Sequence, residues 1–203
     1  MTPETVLDQR TDRSTGTHDH ESLLDLAGSG LLVLHSYRRA GLRGAVDRQY
    51  LRSGALARLV RAAESLPRGF GLAVFDAWRP LALQRELFAT ADDLPPGAVA
   101  PPSADPLTPP PHLTGGTVDL TLTWQDIPLA LGTEFDDFSP RAAADAFEKY
   151  QGYVRGLRRM LYWTLREQQF VVLAEEWWHY EYGTRLWSAI SGNPVRYTGT
   201  EPT

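Results

Sequence analysis

The chain has 203 residues, enough for one sizeable domain, and with 42% apolar and 10% aromatic residues it can pack a core without covalent staples. A formal net charge of −5 leaves no basic field to gather phosphate backbones or anionic lipid, so nucleic acid is excluded as a partner, and no apolar run approaches the ~18 residues that span a bilayer. Cysteine is absent, which excludes disulfides and thiolate ligands, so any metal has to be held by His, Asp, Glu and water.

In chain order, residues 1–22 are polar and aperiodic and are expected to form a flexible tail in which His18 and His20 are solvated. The tail carries no basic head followed by an apolar run, so no secretory signal is read and a cytoplasmic location is the default. Leu31–Leu34, bounded by Gly28 and Gly30, reads as a buried strand; His35 and Tyr37 follow it, and His35 is read as structural. Ser53–Ser65 carries Leu56, Leu59, Val60 and Ala63 at helical spacing, with Ser53 as the expected cap and Pro67–Gly69 as the stop. Gly71–Phe75 is a second apolar strand that runs into Asp76-Ala77-Trp78-Arg79-Pro80, placing Arg79 at a strand end. Pro80 then suits the first turn of a helix whose expected inner face is Leu81, Gln84, Leu87 and Phe88. Residues 95–111 hold eight of the fifteen prolines and can be neither helix nor central strand, so they form a long loop, expected as a wall or lid of a site.

That loop delivers the chain into His112-Leu113-Thr114-Gly115-Gly116-Thr117-Val118-Asp119-Leu120-Thr121-Leu122. Val118, Leu120 and Leu122 alternate with Thr117, Asp119 and Thr121, the period of a half-buried strand with Asp119 on its polar face. The glycine pair allows the loop to fold back and bring His112 over the strand near Asp119. Beyond it lie an acidic aromatic loop, residues 132–138, and a helical region from Pro140. The latter carries a stripe of Phe147, Tyr150, Val154, Leu157, Leu161 and Leu165, with a break near Gly152. Phe170–Ala174 and Trp177–Tyr182 read as a hairpin with Glu175 and Glu176 between its strands. Residues 23–190 are thus expected to be one domain, followed by an irregular tail over 191–203.

Two of the three histidines outside the N-terminal tail sit beside carboxylates in turn-to-strand settings, and this points to a metal site. His112, Asp119 and His179 are the candidate ligands of one Zn2+ per chain, with the fourth position left for water. Glu176 has the wrong parity to share a strand face with His179, so it can serve as general base only from the turn before the strand; Glu175 is the rival. Arg79 is the candidate oxyanion partner, with Asp76 three residues before it to orient it. Two histidines and a carboxylate also make the facial triad of non-haem iron oxidative enzymes, which would use Fe2+, and a binding module that keeps the metal site without turnover is a further reading.

The segments Phe75-Asp76-Ala77-Trp78-Arg79-Pro80, His112-x-x-Gly115-x-x-x-Asp119, Gly132-Thr133-x-Phe135-Asp136 and Glu176-Trp177-Trp178-His179-Tyr180 together resemble the D-alanyl-D-alanine dipeptidases of the vancomycin-resistance type, within the zinc D,D-peptidases. The resemblance implies an α+β fold: a central, mainly antiparallel sheet carrying the metal site, with helices packed against it. It implies zinc on His112, Asp119 and His179, Glu176 as base, Arg79 at the tetrahedral intermediate, and Asp136 or Asp137 holding the free amino group of a small peptide, so that Asp136 joins Asp76 on the substrate side. The surroundings depart from the family pattern. Pro110 and Pro111 precede the first histidine, Leu113 and Thr114 follow it, and Ser36-Tyr37-Arg38-Arg39-Ala40-Gly41 stands where members carry Asn-Phe-x-Gly. A D,D-carboxypeptidase or endopeptidase acting on cell-wall peptides is the neighbouring alternative, and the sequence sets no oligomeric state.

Overall fold

The computed structural model describes residues 20–202. The expected N-terminal tail, His18 included, therefore lies outside the described residues up to residue 19. In chain order the elements are β1 (Leu23–Asp25), β2 (Leu32–Val33), α1 (Ser36–Arg39), β3 (Tyr50–Arg52), α2 (Ser53–Ser65), β4 (Phe70–Asp76), α3 (Leu81–Ala89), β5 (Thr117–Trp124), β6 (Ile127–Pro128), α4 (Tyr153–Glu167), β7 (Val171–Val172), β8 (His179–Glu181) and α5 (Arg185–Ser191). The main sheet runs β2-β4-β5-β8-β7, with β6 folded back on β5, and only the β2–β4 pair is parallel. A separate pair, β1 with β3, is antiparallel. This is the expected α+β architecture. None of the described helices is long and apolar enough to cross a membrane.

β5 is the axis of the sheet. Its apolar set, Val118, Leu120 and Leu122, joins Leu56 and Leu59 of α2 and Leu161 and Leu165 of α4 in one core, each fully buried side chain contributing about 2 kcal/mol. The other set, Thr117, Asp119 and Thr121, is not on a solvated face as the alternation implies: all but the last residue of β5 are buried. The polar row is buried as well, with the Thr121 hydroxyl donating to the Leu129 carbonyl, so the strand is closed on both sides. β5 turns into β6 through Gln125 and Asp126, both at positive φ, as a tight two-residue hairpin requires.

Several local expectations are corrected. Ser53 is the first helical residue of α2 rather than its cap. The free amide of Gly54 is instead capped from 33 residues away by the Glu21 carboxylate (2.6 Å), which also accepts hydrogen bonds from Tyr197 (2.9 Å) and Arg196 (3.2 Å). α3 buries Leu83 and Gln84 and leaves Phe88 exposed, and its Glu86 accepts hydrogen bonds from the Arg43 and Gly44 amides. The hairpin near the C-terminus is shorter than read. Its strands are β7 and β8, and Trp177 and Trp178 belong to the connecting turns, where the Trp177 amide bonds to the Ala142 carbonyl (2.9 Å). The segment from Pro140 is not helical before Gly152: after a single 3-10 turn, Pro140–Ala142, residues 143–151 form turns that carry Phe147 and Tyr150, and α4 starts only after Gly152, at φ 131°. The C-terminal segment has no regular structure after α5, yet Tyr197 is buried and the Thr200 carbonyl accepts the Trp78 indole N–H (2.9 Å).

Candidate metal centre

Strand register assembles the site. Along β4 and β5 the pairing runs regularly from Phe70↔Trp124 to Val74↔Leu120, then slips by one residue so that Asp76, not Phe75, stands opposite Asp119. This bulge re-aims the end of β4. On the other side of β5, Asp119 pairs with His179 of β8. Asp76, Asp119 and His179 therefore form one row across three adjacent strands.

His112 arrives from above. Pro111–Thr114 form a single 3-10 turn, Gly115 takes the left-handed conformation (φ 71°), and Gly116 lies so close to the Tyr182 carbonyl that no Cβ would fit. The chain is thereby folded back as the sequence implied. His112 Nδ1 lies 2.7 Å from the Ala77 carbonyl oxygen. A carbonyl only accepts, so Nδ1 carries the proton and Nε2 presents its lone pair, 3.3 Å from Asp119 Oδ2. At His179 the roles reverse: Nε2 lies 2.8 Å from Glu181 Oε1 and is the protonated nitrogen, so Nδ1 faces Asp119 Oδ1 at 3.0 Å. Thr184, the cap of α5, donates its hydroxyl to the other Glu181 oxygen and holds that carboxylate in place.

These nitrogens and the Asp119 carboxylate fit a cation. A tetrahedral zinc with ligands at about 2.0–2.1 Å separates its donor atoms by about 3.3 Å, close to the two spacings above, and all three donor atoms lie within 4.8 Å of one another. Asp119 Oδ1 is fully buried and accepts no aligned hydrogen bond among the described residues, an orphaned lone pair of the kind a metal satisfies. Both imidazoles are oriented by partners on the far side of the ring, as metal-binding histidines are. The electrostatics agree: burial opposes ionisation of Asp119, but the two imidazoles outweigh it and hold its carboxyl well below the usual range. Burial likewise disfavours a charged His179, yet Asp119 and Glu181 raise it above its ordinary value, so the pocket attracts positive charge.

Glu176 sits in the turn before β8, as its parity demanded, with Oε2 3.5 Å from His179 Nδ1. Glu175 is exposed, whereas Glu176 is buried. Burial, reinforced by Asp119 and Asp136 and opposed by His179, pushes the Glu176 carboxyl up to about 7. Arg79 is buried beside the row. Its Nε donates to Asp76 Oδ2 (2.9 Å), Nη1 to Gln84 Oε1 (3.0 Å) and Nη2 to the Tyr37 hydroxyl (3.2 Å), and Nη2 lies 3.6 Å from Asp119 Oδ2. Burial opposes its charge, but Tyr37, Asp76 and Asp119 more than compensate. Burial also raises Asp76, against Arg79 and His112.

Asp136 lies in the 132–138 loop at φ 60°, an unusual conformation for a side chain other than glycine. Burial together with the charge of Asp119 pushes its carboxyl up to about 7, against Arg79 and the Tyr37 hydroxyl. The loop is held over the sheet end by Phe135, stacked on Phe75 at 4.7 Å, and by the Trp177 indole donating to Thr133 (2.8 Å). Asp137 is bound locally to the Ser139 amide. His35, at φ 50° before α1, is not part of the cluster. Sequence reading missed Tyr37, Gln84 and Glu181 as site residues. Glu181 had a usable signal: two residues after His179 in a strand, it shares its face.

A sheet end that gathers two imidazoles and an aspartate, with a buried glutamate and a guanidinium alongside, has the donor set of a metallohydrolase, and comparison with known proteins puts the chain among the metallopeptidases. The D-ala-D-ala dipeptidase family matches residues 52–193, a span that contains every candidate residue from Asp76 to His179, and the chain belongs to that family. A D-alanyl-D-alanine dipeptidase from Synechocystis sp. is 30% identical over 206 residues, covering 81% of this chain and 82% of that protein.

Proposed function

We propose that this protein is a zinc-dependent dipeptidase that cleaves a small D-amino-acid-containing dipeptide of the D-Ala-D-Ala type. The observation that carries the reading is the buried Glu176 carboxylate, 3.5 Å from the free nitrogen of His179 and beside the His112–Asp119–His179 cluster. Those three residues would hold the ion, which when bound polarises the scissile carbonyl and lets a water lose its proton near neutral pH. Glu176 takes that proton and returns it to the leaving amine, so that one C–N bond breaks, one C–O bond forms, and two amino acids leave. Its raised pKa suits both halves of the transfer. Arg79, fixed on one edge by Asp76, directs its remaining N–H groups to the oxyanion as charge develops there. Asp136, partly buried near the row, takes the ammonium of the substrate.

A carboxylate placed to take a proton from water favours hydrolysis over the iron-dependent oxidative reading, which has no use for it. The test strips the purified protein with a chelator, restores it with Zn2+ or Fe2+, and offers D-Ala-D-Ala and a pentapeptide ending in D-Ala-D-Ala. Release of free D-Ala from the dipeptide, lost on stripping and restored by zinc, is the expected result. Release from the pentapeptide alone would replace the reading with a carboxypeptidase, and oxygen uptake with iron would replace it with an oxidative enzyme.

A further inference from the structure

The proline-rich segment reaches Arg79 through Gln84. Gln84, on the inner side of α3 and 2% exposed, donates from Nε2 to the carbonyl of Ala100 at 2.6 Å and accepts at Oε1 from Arg79 Nη1 at 3.0 Å. A glutamine amide has one accepting and one donating end, and the two look alike in shape. Here the Ala100 carbonyl, which only accepts, fixes which end faces it. Were the amide turned over, its oxygen would face the Ala100 oxygen and its NH2 group would face a guanidinium that has nothing but donors. The segment thus dictates that an acceptor faces Arg79.

This matters because of how the guanidinium is held. Three of its five N–H groups are engaged by Asp76, Gln84 and Tyr37. Asp76 grips the Nε edge, and Gln84 grips Nη1. Two contacts on separate nitrogens stop rotation about the last side-chain bond, so the remaining protons keep a fixed direction. Gln84 does this without charge: a carboxylate at the same place would draw the guanidinium toward α3 and weaken the field it offers elsewhere.

We propose that Gln84 is a positioning residue for Arg79, its amide set by the Ala100 carbonyl of the proline-rich segment so that the guanidinium's free N–H groups point at the metal cluster. The proposal rests on the role given to Arg79 above. It gives the contact of the long loop with α3 a purpose: the loop supplies a backbone oxygen that sets one of the three side chains orienting the oxyanion donor. Displacing such a donor by about 1 Å is worth on the order of 10²-fold in rate.

The experiment compares the zinc-loaded full chain with Gln84→Met, which keeps the volume and loses both hydrogen bonds, and Gln84→Glu, which keeps the acceptor and loses the donor to Ala100. In steady-state hydrolysis of D-Ala-D-Ala, kcat is expected to fall about 10- to 100-fold in both variants, with KM within about threefold and zinc content unchanged. A second readout is independent of turnover: in 15N NMR, assigned by comparison with Arg79→Lys, the Arg79 guanidinium protons should exchange with water at least about tenfold faster in Gln84→Met. An unchanged kcat in a folded, zinc-loaded variant, or unchanged proton exchange at Arg79, overturns the proposal. So does a parallel rise of KM with loss of zinc, which marks a merely structural role. Should the wild-type protein hydrolyse no peptide, the functional reading falls, while the exchange measurement still decides the positioning role.

Discussion

Three buried arginines are held in two different ways. Arg158 of α4 donates to the carbonyl oxygens of Leu131 (2.7 Å), Ala143 (2.6 Å) and Arg141 (2.9 Å), and Arg52 to those of Thr114 (2.9 Å), Glu21 (2.6 Å) and Thr198 (3.0 Å). Each is spent on backbone. Arg158 ties the 131–143 segment, which carries Asp136, onto α4, and Arg52 ties the His112 turn to both outer segments of the chain. Burial pushes Arg158 down to about 10 and lowers Arg52 as well. Arg79, equally buried, is held by side chains alone and keeps its charge through Tyr37, Asp76 and Asp119. All three guanidinium groups make three such bonds; one whose partners are all backbone carbonyls fastens loops, and one anchored by a carboxylate and neutral side chains beside the ligand row is available for chemistry.

The contrast is sharpest for groups kept for the reaction. Glu176→Gln, which keeps size and loses the proton acceptor, should lower kcat about 10³-fold while zinc content, measured by metal analysis, stays unchanged. Next, Arg79→Lys keeps a positive charge and loses the fork, so kcat should drop about 10²-fold with little loss in melting temperature. Arg158→Met should do the reverse. It leaves the buried Leu131 carbonyl without its donor and breaks two further ties to the 141–143 segment, and should cost about 3 kcal/mol or more in urea unfolding, with kcat per folded molecule within about twofold. A large catalytic loss in Arg158→Met without destabilisation would break the distinction.

The smallest effect concerns pH. In the metal-free protein Glu176 and Asp136 both sit at about 7, above their unfolded values near 4. Protons on these groups stabilise the folded state, a contribution fully present below pH ~4 and lost as pH rises through about 7. The melting temperature of the stripped protein should therefore fall by a few degrees between pH 5 and 7.5. Glu176→Gln should flatten part of that slope, and saturating zinc should offset it, since a divalent cation replaces the missing protons. A stripped protein that gains stability over this range would contradict the electrostatics described for the site.

Much of the centre was legible because its chemistry is local. His112, a glycine pair and an alternating strand spell out a turn that folds onto Asp119, and the parity of Glu176 against His179 predicted its place in a turn. What escaped was set by partners far along the chain. The bulge that brings Asp76 opposite Asp119 arises from pairing across β4 and β5 and leaves no mark in Val74-Phe75-Asp76. The cap of α2 comes from Glu21 because Ser53 is already helical, which no window around residue 53 reveals. Periodicity puts Gln84 on the inner face of α3, where it is, and Phe88 with it, which is exposed; that Gln84 meets Arg79 and the Ala100 carbonyl there depends on partners outside the helix. The polar side of β5 was expected to be wet because alternation reports two faces without saying what covers either.

The Glu21 clasp has a consequence for the chain as a string. One carboxylate touches the first turn of α2 and also Arg196 and Tyr197, so positions near the two ends of the described residues are spatial neighbours. Joining them with a short Gly/Ser bridge and reopening the polypeptide at the exposed Gln125–Asp126 turn should yield a circular permutant that still folds, because neither operation crosses the sheet row where the ligands meet.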